Sequence, residues 1–456
     1  QVIGHVEGNN LDSVESAIYQ AQSENTRPSL IICKTVIGYG SPEKAGKSSA
    51  HGEPLGEEEV RLTKNNLGWQ YEEPFAVPAE VQAHFRQAVG RGRSHQQEWL
   101  SRFEAYRRAF PELAKQFEQD INGELPADWD QGLDNLFDGQ TGGLATRDAS
   151  GKVMNIIADN VPAFMGGSAD LAASTKTTLI KKGEFEAQQY GGRNIFWGIR
   201  EHAMGSIANG MALHRGVIPF TGTFLVFYDY MRPSVRLAAL MGIRVIFIYT
   251  HDSIGVGEDG PTHQPVEHIA GLRSVPNMVT IRPADATETV EAWKMALERK
   301  NGPTALIFSR QKLAVLDRQK YSPSDLAKNG GYILWESSSK PEVILIATGS
   351  EVHIALEAGK QLQEKGIGVG VISMPSWELF EAQSPEYRNM VLSAEITARI
   401  SIEAGSTLGW QRYVGDNGVA IGVDRFGASA PGDVVYEKLG ITVEGIIKEA
   451  ERLLKQ

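Results

Sequence analysis

Short apolar runs alternate with amphipathic stretches across the middle of the chain. The stretches 203–213 and 288–299 predict helices between the apolar runs. Clusters of β-branched and other apolar residues predict strands at 217–220, 243–249, 278–282 and 304–309. Because strands that alternate with helices are typical of parallel βαβ units, the sequence predicts an α/β fold.

The alternation of strands and helices continues on both sides of this region. Further strands are predicted at 29–34, 342–347, 369–374 and 399–404. Helices are predicted over 11–23 and over 351–365, where apolar residues recur on one face. Between these regions, residues 57–125 are charged and predicted to be mostly helical.

A length of 456 residues corresponds to about three domains. The pattern predicts a first domain over 1–125, a second over 126–328 and a third over 329–456. The expected architecture is therefore a series of α/β domains with parallel sheets.

The acidic balance of the chain limits its partners. The formal net charge is −11 and the sequence pI is about 5.5. Such a charge argues against binding to nucleic acid or to an anionic membrane surface. Anionic small molecules stay open as substrates, because a few local arginines and histidines suffice to hold a phosphate. No apolar run reaches the ~18 residues that a membrane span requires.

A single cysteine, Cys33, lies in an apolar run. One cysteine excludes an intramolecular disulfide, which suits a reducing compartment. We therefore expect a cytoplasmic protein, or a plastid protein in a eukaryote. The apolar neighbours predict that Cys33 is a buried core thiol.

The loop 251–265 has the densest set of chemically active side chains. It carries two histidines, three carboxylates and three glycines, and it directly follows the predicted strand 243–249. Loops at the C-terminal ends of parallel strands are where α/β enzymes build their sites. Glycines let such a loop approach a ligand closely. The alternative is a solvated acidic surface loop with incidental histidines.

Three other patterns each allow a structural and a functional interpretation. Glu201 begins a helix rich in small residues, where a first-turn glutamate is also favoured by the helix dipole. Phe224, Phe227 and Tyr230 lie three apart, which predicts one helical face and ordinarily a core. The segment 348–350 (Thr-Gly-Ser) precedes a predicted helix, so it suits either an anion site or a plain N-cap.

Several segments together carry a resemblance to a known family. In chain order they are Gly166-Gly-Ser-Ala-Asp-Leu171, Arg200-Glu-His-Ala-Met204, Thr223-Phe-Leu-Val-Phe-Tyr-Asp-Tyr230, the loop 251–265, Phe308-Ser-Arg-Gln311 and Ala347-Thr-Gly-Ser-Glu-Val352. Over essentially the whole chain the sequence resembles the transketolases, thiamine-diphosphate enzymes of sugar-phosphate metabolism. The loop 251–265 is the most specific of these segments, whereas Arg-Glu-His is shared more widely among thiamine-diphosphate enzymes.

The resemblance implies that thiamine diphosphate is the cofactor. Glu201 matches the carboxyl group that hydrogen-bonds N1′ of the aminopyrimidine and thereby activates the thiazolium. The other implied cofactor contacts are Phe224, Phe227 and Tyr230 in the pyrimidine pocket, Asp170 and Leu171 beside the two rings, and Ile37 from the partner domain. In such enzymes the cofactor supplies the carbanion chemistry and the protein supplies orientation and electrostatics.

The resemblance also implies a sugar-phosphate site at the interface of a homodimer. The positions that match phosphate-binding residues are Arg147, Ser174, His251 and Arg310. Asp259 matches a carboxylate that binds a substrate hydroxyl, while His51 and His263 match catalytic histidines at the reacting end. Imidazoles suit proton transfer at neutral pH.

The sequence departs from the family in its metal motif. The expected Gly-Asp-Gly followed by asparagine is absent, and residues 7–10 read Glu-Gly-Asn-Asn where the family usually has Asp-Gly-His-Asp. These differences predict that the chain starts inside the diphosphate-binding domain, at a cut end. No metal ligand is therefore assigned here, and the ligands of Mg²⁺ (or Ca²⁺) are expected upstream of Gln1.

The function implied by the resemblance is that of a transketolase. It would move a two-carbon ketol group from a ketose phosphate, of the xylulose 5-phosphate type, to an aldose phosphate through a thiamine-bound carbanion. The pathway would be the pentose phosphate pathway or the Calvin cycle. One alternative is an inactive fragment, or a subunit that another polypeptide completes. Another is a relative such as dihydroxyacetone synthase or 1-deoxyxylulose 5-phosphate synthase.

Overall fold

The structure is a computed structural model that describes residues 1–140, 142–337 and 340–455. The chain divides into two units, Gln1–Ala105 and Tyr106–Gln456. The strands are β1 (Val2–Glu7), β2 (Leu30–Lys34), β3 (Phe164–Ser168), β4 (Ile218–Phe224), β5 (Ile246–Thr250), β6 (Val279–Ile281), β7 (Thr304–Phe308), β8 (Tyr332–Glu336), β9 (Val343–Ala347), β10 (Val369–Ser373), β11 (Arg399–Ile402) and β12 (Val419–Ile421).

The helices of the first unit and of the segment that follows it are α1 (Leu11–Ser23), α2 (Glu57–Asn66), α3 (Ala79–Ala109) and α4 (Pro111–Asn122). The remaining helices are α5 (Thr146–Asn160), α6 (Ala172–Thr175), α7 (Glu201–His214), α8 (Tyr228–Met241), α9 (His268–Arg273), α10 (Ala286–Glu298), α11 (Glu351–Glu364), α12 (Trp377–Glu381), α13 (Pro385–Val391), α14 (Gln411–Val414), α15 (Gly432–Lys438) and α16 (Val443–Leu453). Among the described residues, no helix combines the length and the hydropathy of a membrane span.

The first unit contains a two-stranded parallel sheet. Helix α1 connects β1 to β2 and occupies the predicted residues 11–23, because the side chain of Asn10 caps it by accepting from the Ser13 amide at 2.9 Å. Ile3, Val6 and Ala17 form its small buried cluster.

The prediction that Cys33 is buried is wrong, since its side chain is exposed. It lies on β2, and a sheet of two strands leaves most side chains of that strand without neighbours in this unit. The apolar run at 29–34 therefore forms the strand β2, but this strand does not lie in a hydrophobic core.

The second unit contains a five-stranded sheet in the order β3-β4-β5-β7-β6, and all its neighbouring strands are parallel. The strands lie within the predicted runs or shifted by a few residues. This sheet confirms the predicted α/β class with parallel strands, and it aligns the C-terminal ends of four consecutive neighbours along one edge.

Helices cover both faces of this sheet. One face packs on α5 and α10 around Phe164 and Trp293, and the other packs on α7 and α8 around Met204 and Tyr228. Trp293 is fully buried, contacts the Phe164 ring at 5.7 Å and donates to the Ser150 hydroxyl at 3.0 Å. Burial on both faces explains why the strands read as continuous apolar runs rather than alternating ones.

A second five-stranded sheet follows, in the order β12-β11-β9-β10-β8. Its strands are parallel except β8, which runs antiparallel to β10 at the edge. The two sheets lie on either side of the boundary predicted near residue 328, and the three domain boundaries stay predictions.

Replacing the buried indole in Trp293→Ala should destabilise the second unit. Loss of this side chain from a packed core costs about 3–5 kcal/mol in the free energy of unfolding. Ser150→Ala removes only the hydroxyl partner and should cost about 1–3 kcal/mol. Urea titrations followed by circular dichroism measure both; a Trp293→Ala variant as stable as the wild type would contradict this packing.

Candidate active site

Predicted site residues gather at the C-terminal edge of the first sheet. Asp170 follows β3, Phe224 ends β4, His251 directly follows β5, and Arg310 lies just beyond β7. These strands are neighbours in the sheet, so residues far apart in sequence meet along one edge. The expectation that the loop 251–265 leaves the C-terminal end of a parallel strand is met.

His251 is held in an unusual backbone conformation. Its φ is 60°, in the left-handed region that non-glycine residues rarely adopt. The Thr250 hydroxyl lies 2.8 Å from Nδ1, and the Phe224 ring packs on the imidazole with centroids 3.7 Å apart. Nε2 faces Arg147 Nη1 at 3.4 Å, so the ring points into the predicted phosphate site.

Arg147, Ser174 and His251 come together as predicted. Arg147 lies in the first turn of α5, and its Nη1 donates to the Ser174 carbonyl at 3.0 Å as well as facing His251. Arg310 is exposed, and its Nη1 donates to the Val256 carbonyl at 3.4 Å. Arg147 faces the imidazole and Arg310 adds a second positive charge nearby, so the site suits an anion such as phosphate.

Electrostatics keep the His251 ring neutral. Burial, reinforced by the positive charges of Arg147 and Arg310 and by His263, lowers the pKa of His251 to about 3. Burial and Arg310 also lower the pKa of Arg147. An arriving dianionic phosphate would relieve this crowding of positive charge, which is the electrostatic signature of an anion site.

The rest of the loop 251–265 forms a 3₁₀ segment over Ile254–Asp259 and then a turn. Asp259 is exposed at the end of that segment. His263 is half-buried, with Nδ1 2.9 Å from the Thr262 hydroxyl and its ring 5.8 Å from that of Phe227. Asp259 and His263 thus lie in the same loop as His251, and their individual roles stay predictions.

A cavity of about 420 Å³ lies beside this cluster. Its lining is Ala169, Asp170, Leu171, Ile199, Glu201, Phe227 and Tyr230. Glu201, the first residue of α7, is 8% exposed, yet among the described residues no hydrogen bond or ion pair engages its carboxylate. An unpaired buried carboxylate normally requires a partner, so the cavity suits a ligand that offers a donor to Glu201.

The prediction that Phe224, Phe227 and Tyr230 share one helical face is wrong. Phe224 ends β4, Phe227 closes a 3₁₀ turn and Tyr230 lies in α8. The rings nevertheless follow one another, with centroid distances of 5.7 Å and 5.9 Å. The turn from β4 into α8 therefore places the three aromatic rings in one row, although they do not belong to one helix.

The remaining predicted site residues, Ile37 and His51, belong to the first unit. Both are exposed there: Ile37 lies in a turn closed by the Gly46 amide, and His51 follows a 3₁₀ turn over Ser48–Ala50. Their assignments stay predictions.

The sequence did not predict the buried charged side chains that anchor the loop 251–265. Asp252 pairs with Arg282 at 2.8 Å, and both side chains are almost fully buried. Ser350 occupies the N-cap position of α11 without a side-chain capping bond, while the Thr348 carbonyl and hydroxyl accept from Arg282. The signal available was an arginine inside an apolar strand-like run, at 278–282.

Asp229, Glu267 and His268 form the cluster of potential metal ligands found among the described residues. The cluster lies where α8 and α9 begin. The positive ends of two helices disfavour a bound cation, so we assign no metal there.

Family models for three domains match the chain. They are the transketolase thiamine diphosphate binding domain over residues 1–126, the transketolase pyrimidine binding domain over 142–315, and the transketolase-like C-terminal domain over 330–442. The first match starts at Gln1, so it does not support the expectation that the N-terminal part of that domain is missing.

Individual relatives agree with these models. A transketolase of Halalkalibacterium halodurans is 49% identical over 449 residues, which cover 98% of this chain and 67% of the relative. Transketolase from Leishmania mexicana superposes with a TM-score of 0.93 at 39% identity, covering 100% of this chain and 66% of that structure. A Pichia stipitis transketolase in complex with sedoheptulose 7-phosphate gives 0.92 at 36%, covering 100% and 67%. The chain thus spans about two thirds of the length of its relatives.

The low pKa of His251 makes the free energy of unfolding depend on pH. The folded pKa of about 3 lies below that of an unfolded histidine, ~6.5, so unfolding takes up a proton between these values. The stability contributed by the neutral ring is complete above pH ~6.5 and is lost as pH falls towards the folded pKa. His251→Asn, which tolerates the left-handed backbone, should abolish this loss.

We expect the wild type to lose up to ~1.4 kcal/mol more unfolding free energy per pH unit than His251→Asn across this window. Urea titrations at a series of pH values measure the difference. Parallel stability profiles for the two proteins would show that His251 titrates normally.

Proposed function

Because this chain belongs to the transketolase family, we propose that it transfers a two-carbon ketol group from a ketose phosphate of the xylulose 5-phosphate type to an aldose phosphate. The predicted family and enzyme class are confirmed by the matching relatives. The activity of this chain is our proposal, and it is placed in the pentose phosphate pathway or the Calvin cycle. The observation that carries it is the anion-binding cluster of His251, Arg147 and Arg310 beside a cavity with an unpaired carboxylate.

Thiamine diphosphate fits the cavity by chemistry. Bound there, it would supply the carbon nucleophile and electron sink that ketol transfer requires. Glu201 would accept a hydrogen bond from the protonated pyrimidine ring nitrogen, N1′, and its unpaired state supports that role. Phe224, Phe227 and Tyr230 would pack on the ring and exclude water. Ile37, Asp170 and Leu171 are the further cofactor contacts that we propose.

The family models that match are thiamine-diphosphate-binding and pyrimidine-binding domains. We propose Mg²⁺, or Ca²⁺, as the ion that accompanies the diphosphate. The described residues include none that we assign as its ligand, and no step of the reaction is derived through it.

The substrate would be held at its phosphate end. Arg147 and Arg310 would donate charge-assisted hydrogen bonds to phosphate, and His251 and Ser174 would complete the site. Asp259 would accept from a sugar hydroxyl. His263 and His51 would move protons at the reacting carbon, because an imidazole can both accept and donate a proton. We further propose a cytoplasmic location, or a plastid one in a eukaryote.

Exposed apolar side chains around the cavity support a homodimer. Ile199 is 78% exposed, Tyr230 65% and Ile207 49%, and they lie at or near the opening of the cofactor cavity and along α7. Apolar patches of this kind on a soluble protein normally mark an interaction site. A second copy of the chain is the partner that we propose.

Glu201→Gln tests the assignment of the cofactor site. The amide keeps the shape of the carboxylate but cannot accept the same charge-assisted hydrogen bond, so kcat should fall by at least ~100-fold. A coupled assay with xylulose 5-phosphate, ribose 5-phosphate, thiamine diphosphate and Mg²⁺ measures it. Glu298→Gln, at an exposed position of α10, is the control and should keep full turnover.

Two results would refute these proposals. An unchanged kcat in Glu201→Gln would remove the role of Glu201. A wild type that makes no sedoheptulose 7-phosphate but condenses pyruvate with glyceraldehyde 3-phosphate would favour the 1-deoxyxylulose 5-phosphate synthase alternative.

Ile207→Glu tests the homodimer. A charge in the middle of an apolar interface costs several kcal/mol, so the variant should sediment as a monomer where the wild type sediments as a dimer. Met390→Glu, at an exposed apolar position on α13, should leave the dimer intact. A wild type that is monomeric at every concentration tested would exclude the partner that we propose.

A further inference from the structure

The loop 251–265 is anchored from behind by a buried ion cluster. Arg282, at the end of β6, is 1% exposed, and it donates to Asp252 from Nε at 2.9 Å and from Nη2 at 2.8 Å. Its Nη1 donates to Glu351, and also to the Thr348 carbonyl at 3.0 Å. One guanidinium therefore joins the residue next to His251 to the start of α11.

The pKa values of the charged residues in this cluster depend on one another. Burial alone would lower the pKa of Arg282, but Glu351 and Asp252 hold it well above its usual range. Burial raises the pKa of Asp252 although Arg282 opposes the change. Removing one partner of such a buried group leaves another charge uncompensated, which is strongly unfavourable. The cluster therefore fixes the backbone at residue 252.

A tyrosine from the C-terminal part of the chain also contacts the loop 251–265. Tyr436, in α15, donates its hydroxyl hydrogen to Glu351 at 2.7 Å, and its oxygen lies 3.3 Å from the Ser253 hydroxyl. Ser253 is the second residue after His251. The Tyr436 hydroxyl thus makes a second connection between the ion cluster and the loop, beside the Arg282–Asp252 pair.

Segment 428–432 closes over the far side of the loop. The Gln264 amide donates to the Ala428 carbonyl at 2.9 Å, and the Ser429 hydroxyl donates to the Glu258 carbonyl. Gly257 has φ 81°, and a side chain there would meet the Gly432 amide nitrogen at 3.2 Å. The backbone of the loop is therefore packed directly against the backbone of that segment.

These contacts surround a residue that needs support. His251 has a left-handed φ of 60°, and strained backbone persists where surrounding structure determines it. The anchored residues Asp252 and Ser253 come immediately after it. Their contacts fix the direction in which the imidazole enters the phosphate site.

We propose that the C-terminal part of the chain, through Glu351 and Tyr436, holds the loop 251–265 in its sugar-phosphate-binding conformation, with Asp252, Arg282 and Tyr436 as positioning residues. This inference rests on the proposed function, because it gives the phosphate site its shape. None of the three residues touches the substrate. Their effect should fall most strongly on the phosphate end, because Asp252 and Ser253 directly follow His251, whereas the cavity proposed for the cofactor is lined from other segments.

Tyr436→Phe tests the proposal with the least disturbance. In the full chain loaded with thiamine diphosphate and Mg²⁺, losing the hydroxyl bond to a buried carboxylate should raise the KM for ribose 5-phosphate about tenfold. The kcat/KM for unphosphorylated ribose should fall clearly less than that for ribose 5-phosphate, since ribose uses Asp259 and His263 of the loop but not the phosphate contact of His251. Amide hydrogen exchange across 252–265 should speed up about tenfold in the same variant.

Tyr332→Phe is the matched control. Tyr332 is buried where Tyr436 is partly buried, and like Tyr436 it donates to a buried carboxylate, that of Glu288, at 2.7 Å and away from the loop. This variant should leave the KM for ribose 5-phosphate and the exchange of 252–265 as in the wild type. Asp252→Asn should shift both quantities further than Tyr436→Phe does, if the variant folds.

Two outcomes would overturn the proposal. One is wild-type loop exchange in Tyr436→Phe together with an unchanged KM for ribose 5-phosphate. The other is an equal loss for ribose and ribose 5-phosphate, which would indicate general destabilisation. If the wild type itself has no ketol transferase activity, the proposed function fails, while hydrogen exchange and calorimetric binding of ribose 5-phosphate still decide whether Tyr436 positions the loop.

Discussion

Burial of the Arg282 guanidinium is the constraint on which the candidate site depends. Water cannot solvate this charge, so protein groups must surround it, and they come from two separate segments: Asp252 from the loop 251–265, and Thr348 with Glu351 from the start of α11. Glu403 extends the cluster, since it accepts from Thr348 at 2.6 Å and from both terminal nitrogens of Arg273 at 2.8 Å. Replacing such clusters with apolar residues is often neutral for stability, so specificity of conformation is the better explanation for a cluster directly behind a binding loop.

The two halves of the site obey different physical requirements. The cavity that we propose for the cofactor is largely apolar, and Glu201, at the start of α7, lines it with a carboxylate that has no protein partner among the described residues. The site that we propose for phosphate needs positively charged side chains that do not repel one another strongly. Burial and the charges of Arg147 and Arg310 lower the pKa of His251, so its ring adds no positive charge to those of the two arginines. The parallel sheet unites both halves because its C-terminal ends lie on one edge.

Much of this arrangement was predictable from the sequence. The helix 11–23 and the main strands follow from hydrophobic patterning, and the loop 251–265 follows from its density of polar groups after an apolar run. The Asp252–Arg282 pair was not predictable, because thirty positions separate the partners and only the fold brings them together. Local rules also failed at Cys33 and at the aromatic residues 224–230. A two-stranded sheet exposes the first, and a strand-to-helix turn replaces the helical face expected for the second.

The failures of local rules concentrate where the site is built. Both His251, directly after β5, and Asp170, two residues after β3, adopt left-handed backbone conformations, which are uncommon for residues other than glycine. The left-handed turn redirects each side chain from the plane of the sheet towards the site. Such a conformation is maintained only when neighbouring contacts over-determine it, and for His251 those contacts come from Arg282 and Tyr436 through the two residues that follow. The proposed site at this edge therefore depends on packing between the two five-stranded sheets, which share no strand. A change that destabilises the C-terminal part of the chain should also alter the chemistry of the loop 251–265.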